Sequence, residues 1–437
     1  MKKTYIYFLG ALIWSVLLFP NISQAQTFFL SDNKELSPEV SLISRSENEL
    51  IIKLTLNAYQ LKKVKSRELS PKSYSIHSQE CSRILKKGAP GLPQFTQSVI
   101  IPPGSEADIQ IVSSTYSEIE EIEIAPSKGS FSRSINPNNV PFVYGEEYEQ
   151  NRFFPSAIAQ TANSYIFRDF EGQTIRFFPF QYNPVTKKLR IYKTITVKVV
   201  FKNGTKLTAY SKRAKRVPVK DFESIYASHF LNYENVTSNI RYSPVSEQGN
   251  LLIIAAPEFM DAMQDFVLWK RQKGIQTEIV DVTTIGGREA IKSFISDYYY
   301  NHNIAYVLLV GDLEQIPSYI KSIPGYPEAL CDPAYGHIEG DDSYAEVIIG
   351  RFSAESVADV ETQVRRSIEY EKNPPAETNW YRKFILIASD EGPGDDNEYD
   401  YQHLQNIKTD LLNYTYNGGY ELYEGAQGDL DAPGDPT

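Results

Sequence analysis

The hydrophobic period of the chain changes once, near residue 250, and this limits the fold more than any other feature. From about 36 to 205 the period is two. Leu50, Ile52, Leu54 and Leu56 share one face of Glu49–Leu56, and Thr96–Ile101, Asp108–Val112 and Glu118–Ile124 read as further short strands. Thr174–Gln181 and Lys188–Phe201 form the clearest strand pair, with Asn183-Pro184 marking the turn between them. No long helical pattern interrupts, so an all-β, sandwich-like domain is expected over 26–205.

Residues 206–247 are polar and partly basic, with Lys212, Arg213, Lys215, Arg216 and Lys220 close together, and end in the Pro-containing Asn239–Val245. This interval reads as a solvated linker. From Asn250 the pattern alternates strand and helix. Strands are expected at Asn250–Ala256, Thr277–Val282, Tyr306–Val310, Glu346–Gly350 and Lys383–Ser389. Helical spacing relates Phe259, Met263, Phe266 and Val267, and recurs in Arg288–Tyr300, Ala354–Glu371 and Tyr401–Asn413. Ser353 or Ser356 would cap Ala354–Glu371. Alternation of this kind gives a doubly wound parallel sheet covered on both faces, with chemistry at the carboxyl ends of its strands. Gly425–Thr437 is a Gly, Asp and Pro loop, and the second domain reads as incomplete there.

At 437 residues the chain is long enough for two or three domains. With 55 acidic against 44 basic residues, its net charge of −11 argues against a general nucleic-acid binder, which needs a basic surface. Two cysteines, Cys81 and Cys331, exclude a disulfide framework, and both are expected as free thiols. Lys2 and Lys3, the apolar Ile6–Phe19 and the small residues Ser23 and Ala25 form a secretory signal peptide, with cleavage between Ala25 and Gln26. No other stretch is long and apolar enough for a transmembrane span. The expected product is exported, secreted or held at the cell surface.

In the second half, Asn250–Ile254, Trp269-Lys-Arg-Gln-Lys-Gly274, Tyr306-Val-Leu-Leu-Val-Gly-Asp312, Ile349-Gly-Arg-Phe352 and Ile387-Ala-Ser-Asp-Glu391 follow one another in an order that resembles the gingipain-like cysteine peptidases. The resemblance covers about 242–425, and the β-rich half is similar to that family's prodomain. It implies a caspase-like catalytic domain over 242–437, with a first subdomain to about 375 and the start of a second from about 376. It also implies a secreted zymogen, protein or peptide substrates, its own prodomain as inhibitor, and bound calcium.

Members of the family use a cysteine nucleophile and a histidine base; the thiolate attacks the scissile carbonyl and the imidazole protonates the leaving amine. Neither cysteine and none of His77, His229, His302, His337 and His403 stands in the family's context, so the dyad is expected beyond Thr437 and the chain as given is expected to be inactive. By resemblance, Glu391 matches the acid that orients the histidine, with Asp390 an adjacent competitor. Asp400 matches the aspartate that holds a substrate arginine. It also heads a helix, where an aspartate serves equally as N-cap. Calcium would take side chains of Asp312, Asp342 and Glu346 and carbonyls of Glu339 and Tyr344; a weaker second cation site would use Glu398 and His403. Arg241-Tyr242 resembles the junction at which gingipain catalytic domains begin, so maturation is expected there, with Arg213 and Arg216 as competing exposed sites. Two other functions fit the same residues: a catalytically silent binding module, and a sortase-like peptidase of the same family.

Overall fold

A computed structural model describes residues 25–31, 34–202, 219–234, 249–323, 326–394 and 398–424. The signal segment up to Gln24, the basic run 206–218, the Arg241-Tyr242 bond and the loop from Gly425 lie outside the described residues.

Three sheets build the N-terminal half. One carries the long strand Lys188–Lys202 between Phe180–Asn183 and Glu49–Thr55, with Glu39–Arg45 beyond and Glu106–Ile119 also paired to it. A second orders Ala159–Phe167, Phe170–Phe177, Pro93–Ile101 and Ser82–Arg83. The inward faces of these two sheets form one core: Leu50, Ile52, Leu54, Ile195, Val197 and Val199 against Val99, Ile175 and Phe177. Period-two alternation puts these apolar side chains on one face, which is why the sheets stack. The third sheet joins Gln26–Phe29, Ala58–Lys63, Ser73–His77 and Glu123–Ile124. The Thr174–Gln181 strand expected from the sequence is in fact two. The chain breaks at Phe178-Pro179 and changes sheets, and Asn183 Oδ1 then accepts from the Val185 and Thr186 N–H groups to close the hairpin at 3.1 and 3.2 Å.

The interval expected as linker contains an ordered helix, Lys220–His229. Its Phe222 and Tyr226, with Phe230 beyond, pack on Phe167 and Phe170. The i, i+4, i+8 aromatic stripe was hidden behind the lysines that dominate the local composition.

The C-terminal half is a parallel sheet in the order Thr277–Asp281, Asn250–Ala255, Ile304–Val310, Ile348–Phe352. Gln264–Gln272 and Val357–Lys372 cover one face and Arg288–His302 the other. Ser356 caps Val357–Lys372 in a capping box with Asp359. A separate parallel pair, Lys383–Ala388 with Gly418–Tyr423, is crossed by the helix Asp400–Tyr414. Leu386 and Ala388 are buried under that helix, while Ile385 and Ile387 on the opposite face are 62% and 72% exposed. Among the described residues no helix is long and apolar enough to cross a membrane.

Candidate active site

The strand Lys383–Ala388 delivers Ser389, Asp390 and Glu391 to its carboxyl end, and the helix Asp400–Tyr414 starts beside them. Asp400 is the first residue of that helix, and the N-cap is Tyr399. The expectation that Asp400 caps the helix is therefore corrected: its carboxylate is turned elsewhere. Oδ2 accepts from Ser389 Oγ at 2.7 Å, and Oδ1 lies 2.7 Å from Nη1 of Arg133, a residue of the N-terminal half. The same Arg133 nitrogen donates to the Glu398 carbonyl at 3.1 Å. Arg133 Nη1 thus makes a charge-assisted contact with one oxygen of the Asp400 carboxylate and shares its donors with a backbone carbonyl.

Arg133 arrives on the loop between Glu123–Ile124 and Ala159–Phe167, and its backbone, as well as its side chain, meets the site. A Cβ placed on Gly392 would stand 2.2 Å from the Arg133 carbonyl oxygen. Only glycine permits that approach. Sequence reading missed Arg133; the signal was a lone arginine in a Ser, Asn and Pro loop, indistinguishable from an ordinary exposed loop residue until its partner is located.

Glu391 is exposed at the strand end. Among the described residues no histidine is hydrogen-bonded to it. His403 Nδ1 sits 3.4 Å from Glu398 Oε2, whose Oε1 accepts from Asn406 at 2.7 Å, so this pair is one exposed carboxylate contact. Burial pushes the Cys81 thiol up to about 11, away from thiolate. Cys331 and His337 cap opposite ends of one short 3-10 turn, Asp332–Gly336.

The oxygen ligands expected for calcium are not brought together. Arg168 of the N-terminal half donates from Nη1 to the carbonyls of Ile304, at 2.9 Å, and Glu346, which places Glu346 at the amino end of the Ile304–Val310 strand. Asp312 follows the carboxyl end of that strand and hydrogen-bonds Ala354 and Ser353. A seven-residue strand puts roughly 20 Å between them. Asp342 Oδ2 accepts from the Ile166 N–H at 3.0 Å and Oδ1 from Tyr344 at 2.9 Å. Glu346 is wholly buried; its oxygens accept from Arg168, Ile338 and Glu339 N–H groups at 3.4, 2.7 and 3.0 Å. Burial pushes its carboxyl up to about 7 against those donors. Glu339 and Tyr344 lie in the same loop, but Tyr344 stacks on Tyr165 of the N-terminal half at 4.1 Å. Among the described residues no group of three carboxylate, histidine or cysteine side chains is assembled to hold a metal. Asp342, Tyr344 and Glu346 form a second docking point for the hairpin Ala159–Phe177.

Residues 31–240 match the family described as Propeptide_C25, and residues 245–426 match Peptidase family C25. The chain belongs to this gingipain family of cysteine peptidases. Gingipain R2 of Porphyromonas gingivalis is 36% identical over 433 residues, 97% of this chain and 56% of that protein. Gingipain R1 of the same organism is 40% identical over 348 residues, 78% of this chain and 34% of that protein. The chain thus spans about half the length, or less, of these gingipains. A solved complex of Porphyromonas gingivalis RgpB pro- and mature domains shares 34% identity, covering 45% of this chain and 97% of that one, with a TM-score of 0.41. Read in gingipain terms, Arg133, Ile166 and Arg168 lie in the propeptide match, and Asp342, Glu346, Gly392 and Asp400 lie in the peptidase match.

Proposed function

We propose that the chain is the N-terminal part of a secreted cysteine endopeptidase precursor that cleaves after arginine and is held latent by its own prodomain. One observation carries this reading: the prodomain's Arg133 lies on Asp400 as a substrate arginine would. Identity to two R-type gingipains supports an arginine preference. The finer expectations stand within the same proposal: an all-β prodomain over 26–205, a maturation bond at Arg241-Tyr242, a signal peptide ending at Ala25, and a dyad in polypeptide following Thr437. The raised Cys81 thiol and the exposed Ile385–Ile387 face support the last of these.

Chemically, Asp400 fixes the P1 guanidinium, Ser389 orients the carboxylate, and Gly392 lets the peptide backbone lie close. Glu391 stands at the strand end from which it would hold the histidine in one tautomer. A single pocket cannot hold Arg133 and Arg241 together, so the first cut at Arg241 falls to another open molecule or another protease. Among the described residues no group of three carboxylate, histidine or cysteine side chains is assembled to hold calcium.

The test uses the full-length precursor with Arg241→Gln to block processing. Arg133→Ala should raise hydrolysis of a P1-arginine anilide at least tenfold over the same precursor with Arg133 intact. Unchanged hydrolysis overturns the reading of Arg133 as the plug.

A further inference from the structure

The loop that presents Arg133 forms one wall of a cavity of about 580 Å³ on its far side. The floor comes from Ala58–Lys63 and Ser73–His77, with Arg83 at the rim; Lys128, Phe131 and Phe142 belong to the loop. Five of the lining residues, Lys62, Lys63, Lys65, Arg83 and Lys128, are cationic, and none is Asp or Glu. In a chain of net charge −11 this concentration is against the average. Glu68, which acts on Lys128, stands outside the lining.

A histidine inside the cavity reports its potential. Arg83 Nη2 donates to His77 Nδ1 at 3.0 Å, and His77 Nε2 faces Ser75 Oγ at 3.1 Å, which fixes the neutral ring with its proton on Nε2. Burial, then the charges of Arg83 and Lys62, pushes the imidazole down to about 4. Lys128 ties the loop to itself, donating to the Pro137 carbonyl at 2.7 Å and lying 4.2 Å over the Phe142 ring. Lys62, Lys63 and Lys65 come from the floor strand and the residues just after it, Arg83 from the edge of the second sheet, and Lys128 alone from the Arg133 loop, so a ligand that reaches Lys128 spans floor and loop.

We propose that this cavity binds a small multivalent oxyanion carrying phosphate or sulfate groups, and that its occupancy clamps the Arg133 loop in its docked position. Lys62, Lys63, Lys65 and Arg83 are exposed and Lys128 is half-buried, and positive charge of this density lining a concave site favours anions. A ligand that touches floor and loop together binds the docked arrangement more tightly than an open one, and so shifts the balance toward it. The oxyanion site stands independently of latency. The clamp deepens that reading and is measured without any proteolysis, so its failure is separable from failure of the Arg133 plug.

The experiment titrates inorganic tripolyphosphate, and in parallel sucrose octasulfate, into the chain as given. Saturable binding of either probe should move the His77 ring resonance ahead of the other four of the five histidines. Saturation by only one probe assigns the phosphate or the sulfate class; by both, the shared oxyanion chemistry. Lys62→Gln with Arg83→Gln should weaken binding at least tenfold. Amide exchange over 127–142 should slow at least threefold at saturation. Absence of saturable binding, an unmoved His77, or equal affinity in the double variant overturns the site. Unchanged exchange at saturation overturns the clamp.

Discussion

Arg133 Nη1 stands 2.7 Å from Asp400 Oδ1, a contact between the propeptide and peptidase regions. Both side chains are about one-third exposed, at 37% and 31%, so the pair is worth less than a buried one but is not a freely screened surface contact. Its meaning comes from convergence: Ser389 holds the other oxygen of Asp400, and Gly392 admits the Arg133 backbone.

Gly392→Ala tests that backbone approach without altering either charge. The new Cβ would stand 2.2 Å from the Arg133 carbonyl, closer than two such atoms can lie. The loop must lift, and amide exchange over 130–136 should quicken at least tenfold while the Asn250–Ala255 strand stays protected. Unchanged exchange in the loop would show that the contact yields without undocking it.

Arg168 is the second anchor, 2% exposed and bonded across the domain boundary to the carbonyls of Ile304 and Glu346. Arg168→Ala strands those carbonyls and removes a guanidinium stacked 4.8 Å from Phe222. The expected cost is about 3 kcal/mol in denaturant unfolding of the chain. A loss below about 1 kcal/mol would contradict the anchor.

Calcium should leave this chain's melting temperature unchanged to within about 1 °C between chelator and millimolar metal, since no ligand gain means no stabilisation by mass action. Asp342 and Glu346 are engaged by N–H groups of Ile166 and Arg168, and Asp312 is at the other end of the strand. A calcium-dependent rise that Asp342→Ala abolishes would restore the ligand set expected from the sequence.

Acid should loosen the helix pair Gln264–Gln272 and Val357–Lys372. Burial raises the Glu371 carboxyl, but Lys270, Lys273 and Trp269 outweigh it and hold the group down at about 2, against an ordinary 4.5. The folded state then binds fewer protons than the unfolded, so the contribution is present above pH 4.5 and is lost as pH falls toward 2. Discounted for solvent screening, it amounts to about 1–2 kcal/mol. Glu371→Gln should flatten this part of the stability–pH curve; an unchanged slope would place the effect elsewhere.

The periods of two and 3.6 carried most of the strand and helix assignments, because burial of one face is written directly into residue spacing. Ser356 as a cap and the parallel core around Ile253 and Leu309 follow from such local patterns. What lay beyond reach was non-local. Arg133 and Asp400 acquire meaning only when two domains meet, and the separation of Asp312 from Glu346 depends on which end of a strand each loop leaves. The Lys220–His229 helix is obscured for a different reason: the basic run that leads into it masks the stripe of Phe222, Tyr226 and Phe230.

The docking of Arg133 on Asp400 is tested most directly by a double-mutant cycle. Arg133→Ala, Asp400→Asn and their combination are compared through the opening free energies of the loop amides over 130–136, from native-state hydrogen exchange. Residues that touch should couple, and the account predicts an interaction of at least about 1 kcal/mol. Additivity to within about 0.3 kcal/mol would contradict it, showing that Arg133 and Asp400 do not hold one another.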